Sequence, residues 1–240
     1  MSRPRSKAGM SYLFFLVCYS GMMTGVRADS VTFVSGPSWN VSDAANNPIG
    51  AAQYVLLSDT SPVVRPAGAT IYNPIGSGWN ADLSSIPGAG WIWAPGITGA
   101  SPNAGLAEYS FSKTFDFTGE PISGSISIAV DDMAQVFVNG NSAGATGSIT
   151  DQSVAFQAQS SLSTFDLTPF LQLGVNTIEI VAQNGPGSFG GGPDATYSQN
   201  AAGVVFGGSV SFQSLPEPSS IALLGLGCVG VVVFRRIRRR

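Results

Sequence analysis

Between Tyr109 and Phe117 the chain alternates large and small with a period of two: Tyr109, Phe111, Phe115 and Phe117 are interleaved with Ser110, Ser112, Thr114 and Asp116. That period places the aromatics on one face of an extended strand, and no helix buries the same set on one side. Lys113 interrupts the apolar face, which points to a bulge or an edge position. The pattern recurs in Ser125–Val130, with Ile126, Ile128 and Val130 on one face, and in Ala134–Val138, with Ala134, Val136 and Val138. Asn139-Gly140 follows at once and suits the positive φ angles of a tight hairpin turn. Further strands are expected at Val31–Val34, Ala52–Leu57, Ser153–Gln157, Thr177–Val181 and Gly203–Phe212, with Gly, Asn, Ser and Pro clusters between most of them. The one helical signal is Thr168–Gly174, with Thr168 as cap, Pro169 at the first helical position and Gly174 as stop. Many short strands with little helix predict an all-β fold, a β-sandwich, with the Gly-, Ser- and Pro-rich residues 184–200 as a long loop near its end.

The two ends of the chain have a different composition. Arg3, Arg5 and Lys7 precede an apolar region from Tyr12 to Val17 that continues more weakly to Val26, and Val26-Arg27-Ala28 precedes Asp29. This is the pattern of a secretory signal peptide over residues 1–28. At the other end, Leu215-Pro216-Glu217-Pro218-Ser219-Ser220 leads into the uncharged stretch Ile221–Phe234 and then into Arg235, Arg236, Arg238, Arg239 and Arg240. Fourteen residues as a helix cover about 21 Å against about 30 Å of bilayer hydrocarbon. Ser219, Ser220 and the arginine stems extend that reach, so a short transmembrane helix is expected. Arginines beside a span stay on the cytoplasmic side, which places the preceding residues across the membrane. Gly225-Leu226-Gly227-Cys228-Val229-Gly230 fits GxGxxG inside this stretch, but a dinucleotide fingerprint needs a βαβ unit and a later acidic residue, and neither is present.

Between these ends, residues 29–214 contain two basic residues, Arg65 and Lys113, and thirteen acidic ones, a formal charge of −11 where the whole chain carries −3. Nucleic acid is therefore not an expected partner, because binding it requires a basic face. Both cysteines, Cys18 and Cys228, lie in the apolar ends, so the exported domain has no disulfide. A domain of this length buries a full core without one. The absence of histidine from the chain and of cysteine from the domain removes His-based acid–base catalysis, Ser-His-Asp and Cys-His nucleophiles and ordinary zinc sites.

Carboxylates remain. Asp131 and Asp132 are adjacent, so along a strand they point to opposite faces, which is wrong for a glycosidase pair, and a turn between two strands is the simpler expectation. Their functional alternatives are oxygen ligation of structural calcium, with loop carbonyls completing the shell, and direct hydrogen bonding to sugar. Of the four tryptophans, Trp91 and Trp93 share one strand face and are expected in the core. Trp79, among glycines and asparagines, is the better candidate for an exposed stacking face.

Pro216-Glu217-Pro218, the apolar span and the arginine cluster together resemble the PEP-CTERM sorting signal of Gram-negative bacteria. The resemblance covers residues 215–240 and implies recognition by a membrane-embedded exosortase-like enzyme, cleavage near the tripeptide and delivery to the cell envelope or exopolysaccharide matrix. Two prolines hold the segment extended, as a protease requires. Within the domain, Ile128–Gly140, Phe165–Leu171 and Gly174–Ile178, with Trp91–Pro95 before them, resemble a galactose-binding-like jelly roll, which implies carbohydrate as ligand. The expectation is an exported, inner-membrane-anchored precursor whose non-enzymatic domain faces the periplasm, binds polysaccharide and requires no cofactor beyond possible calcium. A hydrolase with two carboxylates and a purely structural surface protein are the alternatives.

Overall fold

A computed structural model describes residues 28–57, 68–72, 78–103 and 105–214. Residues 1–27 of the signal peptide expected over 1–28, the sorting tripeptide, the apolar span and the arginines lie outside the described residues. No helix among the described residues is long and apolar enough to cross a membrane. Residues 28–214 belong to one compact unit.

The strands in chain order are β1 (Ala28–Val34), β2 (Asn40–Asp43), β3 (Pro48–Ala51), β4 (Gln53–Leu56), β5 (Thr70–Ile71), β6 (Ile92–Trp93), β7 (Glu108–Phe117), β8 (Gly119–Asp131), β9 (Met133–Val138), β10 (Asn141–Gly147), β11 (Ser163–Asp166), β12 (Gly174–Gln183) and β13 (Gly203–Ser214). They form two sheets. The first runs β11-β8-β13-β6-β4-β5, with β1 also paired to β13, and the second runs β10-β9-β12-β7-β2-β3. All pairings are antiparallel except β4 with β5. The chain is a β-sandwich.

Alternation builds the core. Ile126, Ile128 and Val130 of β8, Val136 and Val138 of β9, and Ile178 and Ile180 of β12 are fully buried between the sheets. Trp39 is also fully buried, edge-on to Phe206 with ring centroids 4.6 Å apart, and its Nε1 donates to the Val34 carbonyl at 2.9 Å. A buried indole needs such an acceptor. Asn139 and Gly140 have φ of 52° and 78°, the conformation a two-residue hairpin requires between β9 and β10.

One local expectation needs correction, the strand at Ser153–Gln157. Of the bulge and the edge expected at Lys113, the structure shows the edge: β7 pairs continuously with β12, but Lys113 lies one residue beyond the last pairing of β7 with β2. Its ammonium reaches Ser38 Oγ at 2.9 Å and stands 5.7 Å from the Phe115 ring centroid, so the long stem lets the charge leave an apolar face. Residues Ser153–Gln157 are helical, within α1 (Gln152–Ser160). Asp151 caps this helix, its Oδ1 accepting from the N–H groups of Ser153 at 2.9 Å and Val154 at 3.3 Å. The helical signal at 168–174 is a single 3-10 turn over Thr168–Phe170 whose N-cap is Leu167 rather than Thr168, with no side-chain cap; Asp166 Oδ1 accepts the Thr168 N–H at 2.9 Å in an Asx turn.

Candidate functional site

The core alternation of β8 runs through Val130, which leaves Asp131 as the strand's last residue on the opposite phase. Asp132 alone then carries the chain from the first sheet into β9 of the second. Its backbone is fastened on both sides: its N–H donates to the Gln183 carbonyl at 3.3 Å and its carbonyl accepts the Ser148 N–H at 3.2 Å. The Asp131–Asp132 peptide is cis.

Neither carboxylate behaves as an ordinary turn residue, and they do not diverge. Asp131 is 7% exposed and Asp132 2%. The Gln159 side-chain amide donates to Asp131 Oδ1 at 2.7 Å and to Asp132 Oδ1 at 3.2 Å. Trp79 Nε1 donates to Asp131 Oδ2 at 2.8 Å, and the Gly185 N–H to Asp132 Oδ2 at 2.6 Å. Every oxygen of the pair thus accepts an N–H. Burial raises the pKa of both carboxyls, and the neighbouring Asp132 charge raises Asp131 further, while the N–H donors oppose the rise. The pair therefore keeps a proton at a pH where exposed carboxyls have lost theirs.

Trp79 departs from expectation as well. It is half-buried, with one face stacked on Trp91 at 4.2 Å between ring centroids and 18° between planes. Trp91 and Trp93 are both buried. Close packing of this indole depends on Gly203, where an added Cβ would stand 2.5 Å from Trp79 Cη2. Gly185 serves Asp132 in the same way, since a Cβ there would come within 2.5 Å of Oδ2. Any side chain at either position would push the ring or the carboxylate out of place.

These groups open on a cleft of about 420 Å³ lined also by Leu57, Phe156, Phe189, Gln199 and Asn200. Phe156 is 51% exposed, on the outer side of α1, whereas Ala155, Ala158 and Gln159 of the same helix are buried. No lysine or arginine among the described residues lines the cleft. It offers carboxylate and amide groups beside aromatic faces, a set suited to a ligand rich in hydroxyl groups. Asn184, next to Gly185, is fully buried, and neither Nδ2 nor Oδ1 has a hydrogen-bond partner among the described residues. No group of three or more acidic, histidine or cysteine side chains able to hold a metal occurs among the described residues.

The adjacency of Asp131 and Asp132 was legible in the sequence, but Gln159, Gly185 and Phe156 were not. The signal that would have found Gln159 is Asp151 as an N-cap ahead of Ala155, Ala158 and Gln159 at i, i+3 and i+4 spacing.

Comparison with known proteins adds an address and a set of distant likenesses. Residues 214–240 match the family described as the PEP-CTERM protein-sorting motif. The protein therefore carries a PEP-CTERM sorting signal, which marks it as secreted, sorted by way of the membrane, and recognised by an exosortase-like enzyme. No curated protein matches the chain.

Among solved structures, the chain is similar to Streptomyces avermitilis α-L-rhamnosidase complexed with L-rhamnose: 18% identity over 54% of this chain and 12% of that one, TM-score 0.36. It is also similar to the apo lectin of Pleurotus ostreatus, at 25% identity over 53% and 35% with TM-score 0.33. A third likeness is to an FMN-binding β-glucuronidase from Faecalibacterium prausnitzii, at 15% identity over 76% and 23% with TM-score 0.34. The chain spans well under two thirds of each of these proteins. With TM-scores this low, no functional argument rests on them.

Proposed function

We propose that the secreted domain is a non-enzymatic carbohydrate-binding module of the cell envelope or exopolysaccharide matrix, and that its ligand occupies the cleft over Asp131, Asp132 and Trp79. One observation carries this reading: a buried carboxyl pair, side-chain amides and partly open aromatics converge in a single concavity that no basic residue lines among the described residues. Sugar hydroxyls both donate and accept, and carbohydrate ring faces pack on aromatic rings, so the lining complements such a ligand on both counts.

A non-enzymatic role is supported by the closeness of the carboxyls. Paired-carboxylate glycosidases hold theirs roughly 5 to 9.5 Å apart, with the scissile bond between them. Here Asp131 and Asp132 interact directly and share one amide donor, so a glycosidic bond has no place between them.

Structural calcium at the same pair belongs to the proposal in one form: the ion would have to displace the Gln159 amide, because each carboxylate oxygen already accepts an N–H.

Glycan-array binding and calorimetry of residues 29–214, with and without millimolar calcium, test these readings together. Saturable binding that is lost in Asp131→Ala is expected. Absence of binding to a broad glycan panel under both conditions would overturn the carbohydrate reading in favour of a structural surface protein. Turnover of any polysaccharide would overturn the non-enzymatic one. For calcium, a rise in melting temperature that disappears in Asp132→Asn is the expected result.

A further inference from the structure

The sorting tripeptide begins almost where the last strand ends. β13 runs through Ser214, and Leu215 alone separates it from Pro216. The strand is paired on both sides close to that point. Ser214 pairs with Gly119, Gln213 with Glu120 and Phe212 with Pro121 of β8, while Gln213 and Phe212 also pair with Ala28 and Asp29 of β1. The apolar stretch begins at Ile221, so six residues separate Ser214 from it. Six extended residues reach at most about 22 Å. A membrane-embedded enzyme acting on the tripeptide therefore works beside the pole of the domain where β1 begins and β13 ends.

Proline chemistry adds a constraint. Pro216 and Pro218 have no N–H, so within the tripeptide only Glu217 can donate from its main chain. An enzyme that holds its substrate as an added strand draws affinity from main-chain hydrogen bonds, and the nearest further donors on the upstream side are those of Leu215, Ser214 and Gln213. The last two of these residues lie in the ladder of the folded domain. That ladder is weak at this point. A register shift separates Ser211 from Phe212, and Pro121 opposite Phe212 supplies no N–H. One step inward the strand is fixed, because Phe212 is 7% exposed and lies 5.7 Å from the Phe117 ring.

We infer that the strand ends at this pole form the surface that meets the sorting enzyme, and that Gln213 and Ser214 must leave the β8 and β1 ladders for Pro216-Glu217-Pro218 to be bound. The bulge and Pro121 make this opening easy, and Phe212 stops it from spreading into the sheet. Processing is thereby coupled to the local stability of a two-residue strand end. This rests on the sorting reading of Pro216-Glu217-Pro218.

The test follows conversion of the full-length precursor by pulse–chase in cells that contain the cognate exosortase-like enzyme. Inserting six Gly/Ser residues between Ser214 and Leu215 frees the upstream donors without moving the tripeptide relative to the apolar stretch. Conversion should quicken by roughly tenfold, the factor expected when one or two ladder hydrogen bonds need not open. Pro121→Val restores a donor to β8 and should slow conversion, and the insertion should cancel that slowing. Protease resistance of the domain reports whether each variant is folded, and the insertion variant keeps the test decisive if Pro121→Val is not. Equal rates in native chain and insertion variant, or slower conversion on insertion, would overturn the inference. Glu217→Ala separates the two levels: normal processing of that variant defeats the sorting reading itself, whereas blocked processing with an inert insertion defeats only the strand-end proposal.

Discussion

The two ends of the β8–β13 ladder are built from the same two strands and differ in almost every physical respect. At one end, Gly203 pairs with Asp131, and around that pair Trp79, Gln159 and Gly185 satisfy the carboxylates while Trp91 backs the indole. At the other, roughly 36 Å away along β13, Ser214 pairs with Gly119 beyond a register shift and a proline. Burial and shared donors make the first end costly to perturb; exposure and missing donors make the second cheap to open. The difference fits a division of labour in which the proposed ligand site lies far from the point where the sorting signal joins the domain.

The sharpest way to break this comparison is Trp79→Ala. It removes the stack on Trp91 and the donor to Asp131, and should cost about 3 kcal/mol by urea denaturation together with all glycan binding. A loss no larger than that of a strand-end variant would erase the distinction. Gly203→Leu leaves the indole intact but takes its seat, and should destabilise by about 1–3 kcal/mol. Retained binding with unchanged stability would show that Trp79 does not depend on that glycine.

A third prediction concerns protons. Asp131 and Asp132 titrate higher in the folded chain than in the unfolded one, so the folded state holds a proton that the unfolded chain releases, and stability falls as pH rises from the ordinary carboxylate range through the raised one. Asp43, Asp82, Asp151 and Asp166 lie at the surface, accept local N–H or O–H donors, and titrate lower. Their contribution is present above the ordinary range and is lost as pH falls through their lowered values. Melting temperature should therefore peak at mildly acidic pH. Asp131→Asn should flatten the alkaline decline and leave the acid side unchanged; an unaltered alkaline slope would contradict a buried, proton-retaining pair. The smallest effect is expected at the strand end, where Gln213→Ala should change stability by no more than about 0.5 kcal/mol.

Periodicity made the sandwich readable from the sequence, because a buried strand face leaves a two-residue signature whichever strands it pairs with. Ser153–Gln157 misled for the same reason. Val154 and Phe156 alternate as in a strand, yet both are exposed on a capped helix whose buried face is Ala155, Ala158 and Gln159. Alternation reports burial only where tertiary packing uses it. The half-buried, stacked state of Trp79 was likewise invisible, since its partner Trp91 is twelve residues away and its seat, Gly203, more than a hundred.

By itself, the sequence determined route and class. The sorting signal is read as a linear segment and the core as a linear pattern, so neither needs a third dimension. Only the tertiary structure decided what the acidic residues do. Adjacent aspartates on a strand point apart, and it took the passage from β8 to β9, with a helix and a loop closing over it, to bring both carboxylates to one amide in a buried cleft. Charge and hydrogen bonding depend on distance and solvent exposure, and those are set by residues far apart in the chain.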